Sequence, residues 1–152
     1  MIPELALSMY VRACAPNVAP TTSLAIISVE SKGWPWSIHD NTENRGYALR
    51  TRDEAARAAA ELVQAGHNLD LGLMQVNTSN LGWLGLGIAQ AFDPCTNIAA
   101  GGRILTQDYV SASRQYGPGQ IALYHAFEAY NSGKMDGAAD YARLVWRAAT
   151  VP

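Results

Sequence analysis

Apolar residues recur at every third or fourth position along most of the chain, and this spacing restricts the fold more than any other feature of the sequence. Such spacing places apolar side chains on one face of an α-helix. Turn-forming residues such as Gly33, Gly66 and Gly133 separate the periodic segments. We therefore predict one mostly α domain over residues 1–152, of α+β type, with a small β-hairpin or a few short strands at most.

Prolines and short polar residues mark the starts of the first two helices. Pro3 opens the first helix, which we expect to end near residues 13–16. Thr21 or Thr22 is expected to cap the second helix just after Pro20. The spacing predicts that the face of the first helix with Ile2, Leu5 and Met9 packs against the core.

The third helix has a capping box, in which a hydroxyl and a carboxylate satisfy each other's free backbone N–H groups. Thr51 and Glu54 have the required types and spacing, and the alanine-rich run 55–65 follows them. The next helix start is indicated by Asp93 followed by Pro94.

Two adjacent glycines, Gly101 and Gly102, fall in the middle of the helix that starts at Asp93. Each costs a helix about 1 kcal/mol relative to alanine, so we expect another element to pack closely against them.

Two more helices and a small amount of β structure complete the prediction. One helix runs from Pro118 to Tyr130, and the other spans residues 136–149. Residues 38–50 lack helical periodicity and indicate a loop or short hairpin, and residues 69–77 allow one short strand. In the last helix we expect three residues to point inward, namely Tyr141, Leu144 and Val145.

The charge and hydropathy of the chain argue against two classes of partner. Eleven lysines and arginines against thirteen acidic residues give a formal net charge of −2, so the basic footprint of a nucleic-acid-binding protein is missing. No apolar run approaches the roughly 18–20 residues of a membrane helix, so we expect no membrane insertion. Pro3 and Glu4 interrupt the position of a signal-peptide core, which predicts either an internal protein or a mature form with a start Met.

Cys14 and Cys95 are the only cysteines. They either form one disulfide or remain as two buried thiols. Pairing would close a loop of about 80 residues and contribute about 4–5 kcal/mol in the chain-entropy model. Neither cysteine has ligand-like spacing to His39, His67 or His125, so the sequence predicts no metal site.

Glu30 is the leading candidate for acid–base chemistry. It follows Ile26 and Ile27 by one helical turn, so its carboxyl is expected on the apolar side of the second helix. Burial there would keep the carboxyl protonated toward neutral pH, as a general acid requires. A salt-bridged or solvated glutamate is the alternative that residue statistics favour. Spacing alone leaves both interpretations open.

Three separated segments, taken together, resemble a known family. Residues 30–31 (Glu-Ser), residues 72–77 (Gly-Leu-Met-Gln-Val-Asn) and residues 129–131 (Ala-Tyr-Asn) are similar, in order and spacing, to signature segments of lytic transglycosylases with a lysozyme-like fold. The longer strings at 18–22, 66–77 and 93–98 resemble the branch associated with type IV secretion and conjugation. The similarity runs from about residue 14 to residue 145.

The resemblance implies a lysozyme-like fold with a glycan-binding cleft and no cofactor. It implies cleavage of the β-1,4 bond between N-acetylmuramic acid and N-acetylglucosamine with a 1,6-anhydro product, for local wall opening beside other secretion-apparatus proteins. Glu30 corresponds to the one catalytic acid. The implied location is the periplasm, where a Cys14–Cys95 disulfide becomes reasonable. The residues that correspond to substrate-binding positions are Ser31, Gln75, Asn77, Tyr130, Asn131 and Tyr141.

Two positions depart from the family pattern. Lys32 stands where the family usually has glycine after Glu-Ser, which affects the local shape and charge of the cleft. The arginine of the late tyrosine segment lies one place early, at Arg143.

Two other functions remain as alternatives. A hydrolytic lysozyme would need a second carboxyl, for which Asp40 or Glu43 is preferred and Asp70 is also available. A glycan-binding assembly module would show little catalysis. Trp34 and Trp36 either stack on sugar rings or fill the core.

Overall fold

The computed structural model describes residues 1–150, of which most are helical, and this confirms the predicted lysozyme-like, mostly α fold. The helices are α1 (Glu4–Cys14), α2 (Pro20–Glu30), α3 (Arg52–Gln64), α4 (Leu81–Leu84), α5 (Pro94–Tyr116), α6 (Gln120–Ser132) and α7 (Ala139–Thr150). The strands are β1 (Ser37–Asp40), β2 (Arg45–Ala48), β3 (Leu69–Leu71) and β4 (Val76–Asn77).

The strands form one antiparallel sheet in the order β2-β1-β3-β4. Ile38 of β1 pairs with Tyr47 on one side and Leu71 on the other. The expected hairpin is confirmed, whereas the segment expected to give one strand gives two. Gly72 and Gln75 both have positive φ, at +77° and +49°, and so reverse the chain between β3 and β4.

The predicted cap of α2 is wrong. Ala19 is the N-cap residue and Pro20 is the first helical residue, so Thr21 and Thr22 already lie within the first turn. Proline suits this position because its missing N–H would have no helical partner there.

The caps of α3 and α5 use the predicted residues. The Thr51 hydroxyl accepts a hydrogen bond from the Glu54 N–H. The Glu54 carboxylate, however, accepts from the Arg50 N–H, one residue before the position that a capping box uses. At α5 the Asp93 carboxylate accepts from the Thr96 N–H.

The predicted inward face of α1 is also wrong. Leu7 and Val11 are buried, whereas Leu5 and Met9 are 78% and 67% exposed. Apolar residues occur all round this helix, so the spacing alone could not select the side that packs. The same error affects α7, where Val145 is buried as expected but Leu144 is exposed.

Two hydrophobic clusters make up the core. The first unites α1, α2, α6 and α7 around residues such as Ile26 and Phe127. The second lies beneath the sheet and α3, around Leu71 and Phe92. Helix α5 contributes to both clusters and thereby fixes the sheet relative to α2.

The close packing predicted at the two glycines of α5 is confirmed. A Cβ atom on Gly101 would lie 2.7 Å from Sδ of Met74, and one on Gly102 would lie 3.1 Å from Cβ of Ala15. The absent side chains therefore allow the 72–75 turn and the end of α1 to approach α5.

Cys14 and Cys95 are joined by a disulfide that connects the end of α1 to the start of α5. Their Cα atoms are 5.3 Å apart, across a sequence separation of 81 residues. Within residues 1–150, none of the helices combines the length and the apolar character that spanning a bilayer would require.

Candidate active site

Glu30 is the last residue of α2, and its half-buried side chain lines an open cleft. The chain leaves the helix through Lys32 and Gly33, both with positive φ, at +53° and +77°. A left-handed conformation favours glycine, which gives a physical reason for the glycine that the family usually has where this chain has Lys32. The turn directs the chain into β1 and leaves the Glu30 carboxyl at the cleft.

The Glu30 carboxyl has one strong hydrogen bond and an unusual pKa. The Tyr141 hydroxyl donates to Oε1 of Glu30 over 2.6 Å. Burial raises the pKa of Glu30 to about 7, and the charge of Asp70 adds to the rise, while the hydrogen bond from Tyr141 acts in the opposite direction. A carboxyl with a pKa near 7 can both donate and accept a proton near neutral pH.

The turn between β3 and β4 is held from behind by Asn97 of α5. The Asn97 amide donates to the carbonyls of Leu71 and Ala91 and accepts from the Met74 N–H. A Cβ on Gly72 would lie 2.9 Å from the Ala91 carbonyl oxygen, so no larger residue fits at that position.

The front of the same turn is held by side chains that line the cleft. Nε2 of Gln75 donates to the Gly72 carbonyl at 2.9 Å. The Tyr130 hydroxyl donates to the Met74 carbonyl at 2.7 Å, which links α6 to the turn. These bonds place Gln75 and Tyr130 at the cleft surface.

A network of amide side chains surrounds Asp70 on β3. Asn41 donates to one carboxylate oxygen at 2.8 Å, and Asn77 donates to the other at 2.7 Å. Asn68 bridges Asn41 and Asn77 through its own amide. Both oxygens of Asp70 therefore have a hydrogen-bond donor.

The cleft has two adjoining parts, and Glu30 lines both of them. The part that contains Asn77 and Tyr130 has a volume of about 450 Å³, and the adjoining part has a volume of about 460 Å³. Both parts share Glu30, Asn41, Asp70, Gln75 and Asn131. Glu30 thus lies where the two parts of the cleft adjoin.

The structure brings most of the residues singled out from the sequence to this cleft. Gln75, Asn77, Tyr130 and Asn131 line it with Glu30. Tyr141 contacts Glu30 directly.

Ser31 is not brought to the cleft. Its hydroxyl donates to the Leu73 carbonyl at 2.7 Å and accepts from the Gly33 N–H. Ser31 thus ties the end of α2 to the 72–75 turn from behind, which positions Glu30 but leaves no group for a ligand.

The carboxyls considered as partners of Glu30 have different surroundings. Asp40 is fully buried, and its Oδ2 lies 2.6 Å from Nδ1 of His67. Burial would raise the pKa of Asp40, but hydrogen bonds from His67, Glu43 and Thr42 outweigh it and lower that pKa. Glu43 is exposed and is not among the described residues that line either part of the cleft.

Several residues that line the same part of the cleft as Tyr130 were not singled out from the sequence, among them Trp83 and Asp108. Trp83 lies on α4, which is too short for a periodic pattern, and Asp108 resembles an ordinary surface charge in a long helix. Burial raises the pKa of Asp108 to about 7.

Trp34 and Trp36, which were considered for sugar stacking, have structural contacts instead. The Trp34 indole N–H donates to the Leu49 carbonyl, and the two rings pack edge to face with centroids 6.3 Å apart. Neither is among the described residues that line the cleft. Within residues 1–150 no group of three or more His, Cys, Asp or Glu side chains is arranged to hold a metal ion.

Comparisons with known proteins agree with the family resemblance over most of the chain. Residues 9–143 match the family model described as "Transglycosylase SLT domain". The "Protein virB1" of Agrobacterium fabrum is 36% identical over 124 residues, which cover 82% of this chain and 50% of that protein. The "Type IV secretion system protein virB1" of Brucella abortus is 40% identical over 138 residues, covering 90% of this chain and 57% of that protein.

The chain therefore spans about half the length of the curated relatives it matches. No solved structure matches it significantly. The match to residues 9–143 covers the α2 end, the 72–77 turn and the α6 segment that form the cleft, and the chain belongs to the transglycosylase SLT domain family.

Proposed function

We propose that residues 1–152 act as a single lytic transglycosylase domain that cleaves peptidoglycan strands without water. The bond cleaved is the β-1,4 linkage from N-acetylmuramic acid to N-acetylglucosamine, and the product is a 1,6-anhydromuramic end. The observation that supports this most directly is the Glu30 carboxyl, which lines an open cleft, is bonded to Tyr141 and has a pKa raised to about 7.

In the first half of the reaction Glu30 acts as the general acid. Its proton passes to the glycosidic oxygen while the bond from that oxygen to C1 of the muramic residue breaks. The N-acetylglucosamine end leaves with a free 4-hydroxyl. A pKa near 7 keeps a substantial fraction of Glu30 protonated near neutral pH, so the acid form is available.

In the second half the ionised Glu30 acts as the general base. It takes the proton of the muramic C6 hydroxyl while O6 forms the new bond to C1, which closes the anhydro ring. The substrate supplies its own nucleophile, so one carboxyl completes the cycle and is returned to its protonated form. The Tyr141 hydroxyl, 2.6 Å from Oε1 of Glu30, orients the carboxyl and stabilises its charge between the two steps.

Hydrolysis would require a second carboxyl that holds a water or attacks the sugar. Asp40 has no exposed surface and pairs with His67, so it does not suit that role. Asp70 lines the cleft, but Asn41 and Asn77 already bond its two oxygens. These contacts favour the route that uses the C6 hydroxyl.

The printed names of the relatives support a proposal for the biological role. The Brucella relative is named as a type IV secretion system protein. We propose that this domain opens the wall locally, in the periplasm, for a secretion or conjugation apparatus and works beside other proteins of that apparatus. The disulfide between Cys14 and Cys95 supports an oxidising compartment.

The test is release of soluble muropeptides from purified peptidoglycan by the wild type and by Glu30→Gln. Glutamine keeps the shape of the side chain but cannot donate the proton, so release should fall by about 10²–10⁴-fold. Glu43→Gln is the matched control, because it removes an exposed carboxyl outside the described cleft lining and should leave release unchanged. Equal release by wild type and Glu30→Gln would remove the enzymatic proposal and favour an assembly module.

A further inference from the structure

Helix α7 brings the Tyr141 hydroxyl to Glu30 but starts at a residue that cannot cap it. The Ala142 N–H donates to the Ala138 carbonyl at 3.0 Å, so Ala138 is the N-cap residue. Alanine has no side-chain acceptor for the free N–H groups at a helix start. Tyr141 is the third residue of α7 and lies in this first turn. The position of its hydroxyl therefore depends on contacts from outside the helix.

The Glu128 side chain of α6 makes such a contact. Its Oε2 accepts a hydrogen bond from the Ala138 N–H at 3.1 Å. In a capping box, a glutamate within the helix makes this bond to the N-cap N–H. Glu128 makes it from the neighbouring helix, ten positions earlier in the chain. A carboxyl group at this place is also favoured by the helix dipole. Glu128 thus replaces the cap that α7 does not encode.

Glu128 is itself buried and held in one place. It is 4% exposed, and Nδ1 of His125 lies 3.2 Å from its Oε1. The same Nδ1 lies 2.6 Å from the Met135 carbonyl oxygen, which can only accept, so Nδ1 carries a proton. The His125 ring stacks on Tyr116 with the centroids 4.0 Å apart. The carboxyl is therefore fixed between a rigid imidazole and the start of α7.

The position of Glu128 restricts how it could affect the reaction. It is not among the described residues that line either part of the cleft, so a bound glycan would not contact it. The other charge that acts on Glu30 belongs to Asp70, whose carboxylate is bonded by Asn41 and Asn77. An effect of Glu128 on Glu30 would therefore pass through the first turn of α7.

We propose that Glu128 is a positioning residue, which fixes the first turn of α7 and thereby holds the Tyr141 hydroxyl at hydrogen-bond distance from Glu30. The contacts run from Glu128 to the Ala138 N–H, along one helical turn to Tyr141, and across 2.6 Å to Oε1 of Glu30. The consequence for catalysis rests on the proposed function. The effect on the Glu30 carboxyl does not depend on which reaction that carboxyl performs.

The experiment measures the pKa of Glu30 by NMR titration of carboxyl-labelled glutamate, with Glu30→Gln to assign the signal. Glu128→Met keeps the length of the side chain but removes the acceptor of the Ala138 N–H. The bond from Tyr141 lowers the pKa of Glu30, so a loosened bond should raise this pKa, by no more than it rises in Tyr141→Phe. When Glu128→Met is added to Tyr141→Phe, no further rise is expected, because the phenol is already absent.

Cleavage of purified peptidoglycan gives a second measurement. In Glu128→Met, kcat should fall about threefold to tenfold, because the carboxyl loses part of its orientation. KM should change little, since Glu128 is not among the described residues that line the cleft. The double variant with Tyr141→Phe should be no slower than Tyr141→Phe alone. A purely structural role would lower the unfolding free energy and leave both kcat and the pKa of Glu30 unchanged.

Three further variants complete the design. Glu128→Gln keeps an oxygen that can accept from the Ala138 N–H and should restore most of the wild-type behaviour. Glu128→Asp withdraws the carboxyl by one methylene group and should show the same effects as Glu128→Met to a smaller extent. Tyr124→Phe removes a different bond from α6 to the start of α7, at the Ala139 carbonyl. That bond is exposed, so water can replace it, and the variant should behave as the wild type does.

A wild-type pKa of Glu30 together with a wild-type kcat in Glu128→Met would overturn the proposal. Where Glu128→Met does not fold, the same result in Glu128→Asp would overturn it. Equal losses of kcat from Glu128→Met with and without Tyr141→Phe would also overturn it. Failure of the proposed function has a different signature, because it requires Glu30→Gln to release muropeptides as fast as the wild type, and the NMR measurement does not depend on that release.

Discussion

The Tyr141 hydroxyl lies 2.6 Å from Oε1 of Glu30 and donates a hydrogen bond to it, although the two residues are 111 positions apart in the sequence. This bond joins the start of α7 to the end of α2. The bond lowers the pKa of Glu30, but burial raises that pKa by more, and the resulting pKa is about 7. The balance between these two effects sets the pH range in which the carboxyl can act both as acid and as base.

Tyr141→Phe tests this balance. Without the phenol the pKa of Glu30 should rise further, so the alkaline limb of the pH–rate profile should move to higher pH. The maximal rate should fall about tenfold, because the carboxyl loses its orientation. Tyr124→Phe is the matched control, since the Tyr124 hydroxyl donates to the Ala139 carbonyl in the same region and not to Glu30. An unshifted alkaline limb in Tyr141→Phe would contradict the account.

Glu30→Gln should change the pH dependence of stability as well as activity. Folding raises the pKa of Glu30 from 4.5 to about 7, so its contribution to stability is present below about pH 4.5 and is lost as the pH rises through 7. Glutamine does not titrate. The unfolding free energy of the variant minus that of the wild type should therefore be about 1–3 kcal/mol larger at pH 8 than at pH 4. Denaturant unfolding at both pH values measures this, and parallel curves would argue against a buried acid.

Gly101→Ala should destabilise the fold through the turn that carries the cleft residues. The added Cβ would lie 2.7 Å from Sδ and 2.8 Å from Cβ of Met74, which is fully buried. Such overpacking costs about 1–3 kcal/mol in urea unfolding. Gly82→Ala, where the new Cβ meets no atom within 4 Å, should have no such cost. Equal stabilities of the two variants would show that α5 and the turn are not tightly packed.

The disulfide should stabilise the fold without affecting the chemistry. Replacing Cys14 and Cys95 by alanine should lower the unfolding free energy by about 2–5 kcal/mol, because the unfolded chain loses its cross-link. Activity well below the melting temperature should remain, since neither residue is among the described lining of the cleft. Reductant should lower the unfolding free energy of the wild type and leave that of the double variant unchanged. An unfolding free energy of the wild type that reductant does not change would exclude a stabilising disulfide.

Local sequence signals predicted several elements of the fold because they act within a few residues. Thr51 and Asp93 cap their helices through their own first turns. Gly101 indicated close packing because glycine is costly in a helix unless space requires it. Glu30 lies as expected at the end of an apolar helix.

Other features could not be predicted because they depend on which elements meet in space. Apolar residues surround α1, so only packing against its neighbours decides that Leu7 and not Leu5 is buried. The Ser31 hydroxyl bonds the carbonyl of Leu73, which is 42 positions away. No local sequence signal could therefore predict that the Ser31 side chain points away from the cleft. Trp83 of α4 and Asp108 of α5 both line the cleft because the two helices converge there. The sequence of either helix alone does not predict this.

In the proposed reaction Glu30 transfers a proton to the leaving sugar and then takes one from the C6 hydroxyl of the same strand. The most direct measurement is the mass of the muropeptides released from purified peptidoglycan by the wild type. We expect products one water lighter than reducing muropeptides, with 1,6-anhydromuramic ends, and we expect these products to be lost in Glu30→Gln. Reducing ends of full mass, or anhydro products that persist in Glu30→Gln, would contradict the proposed reaction.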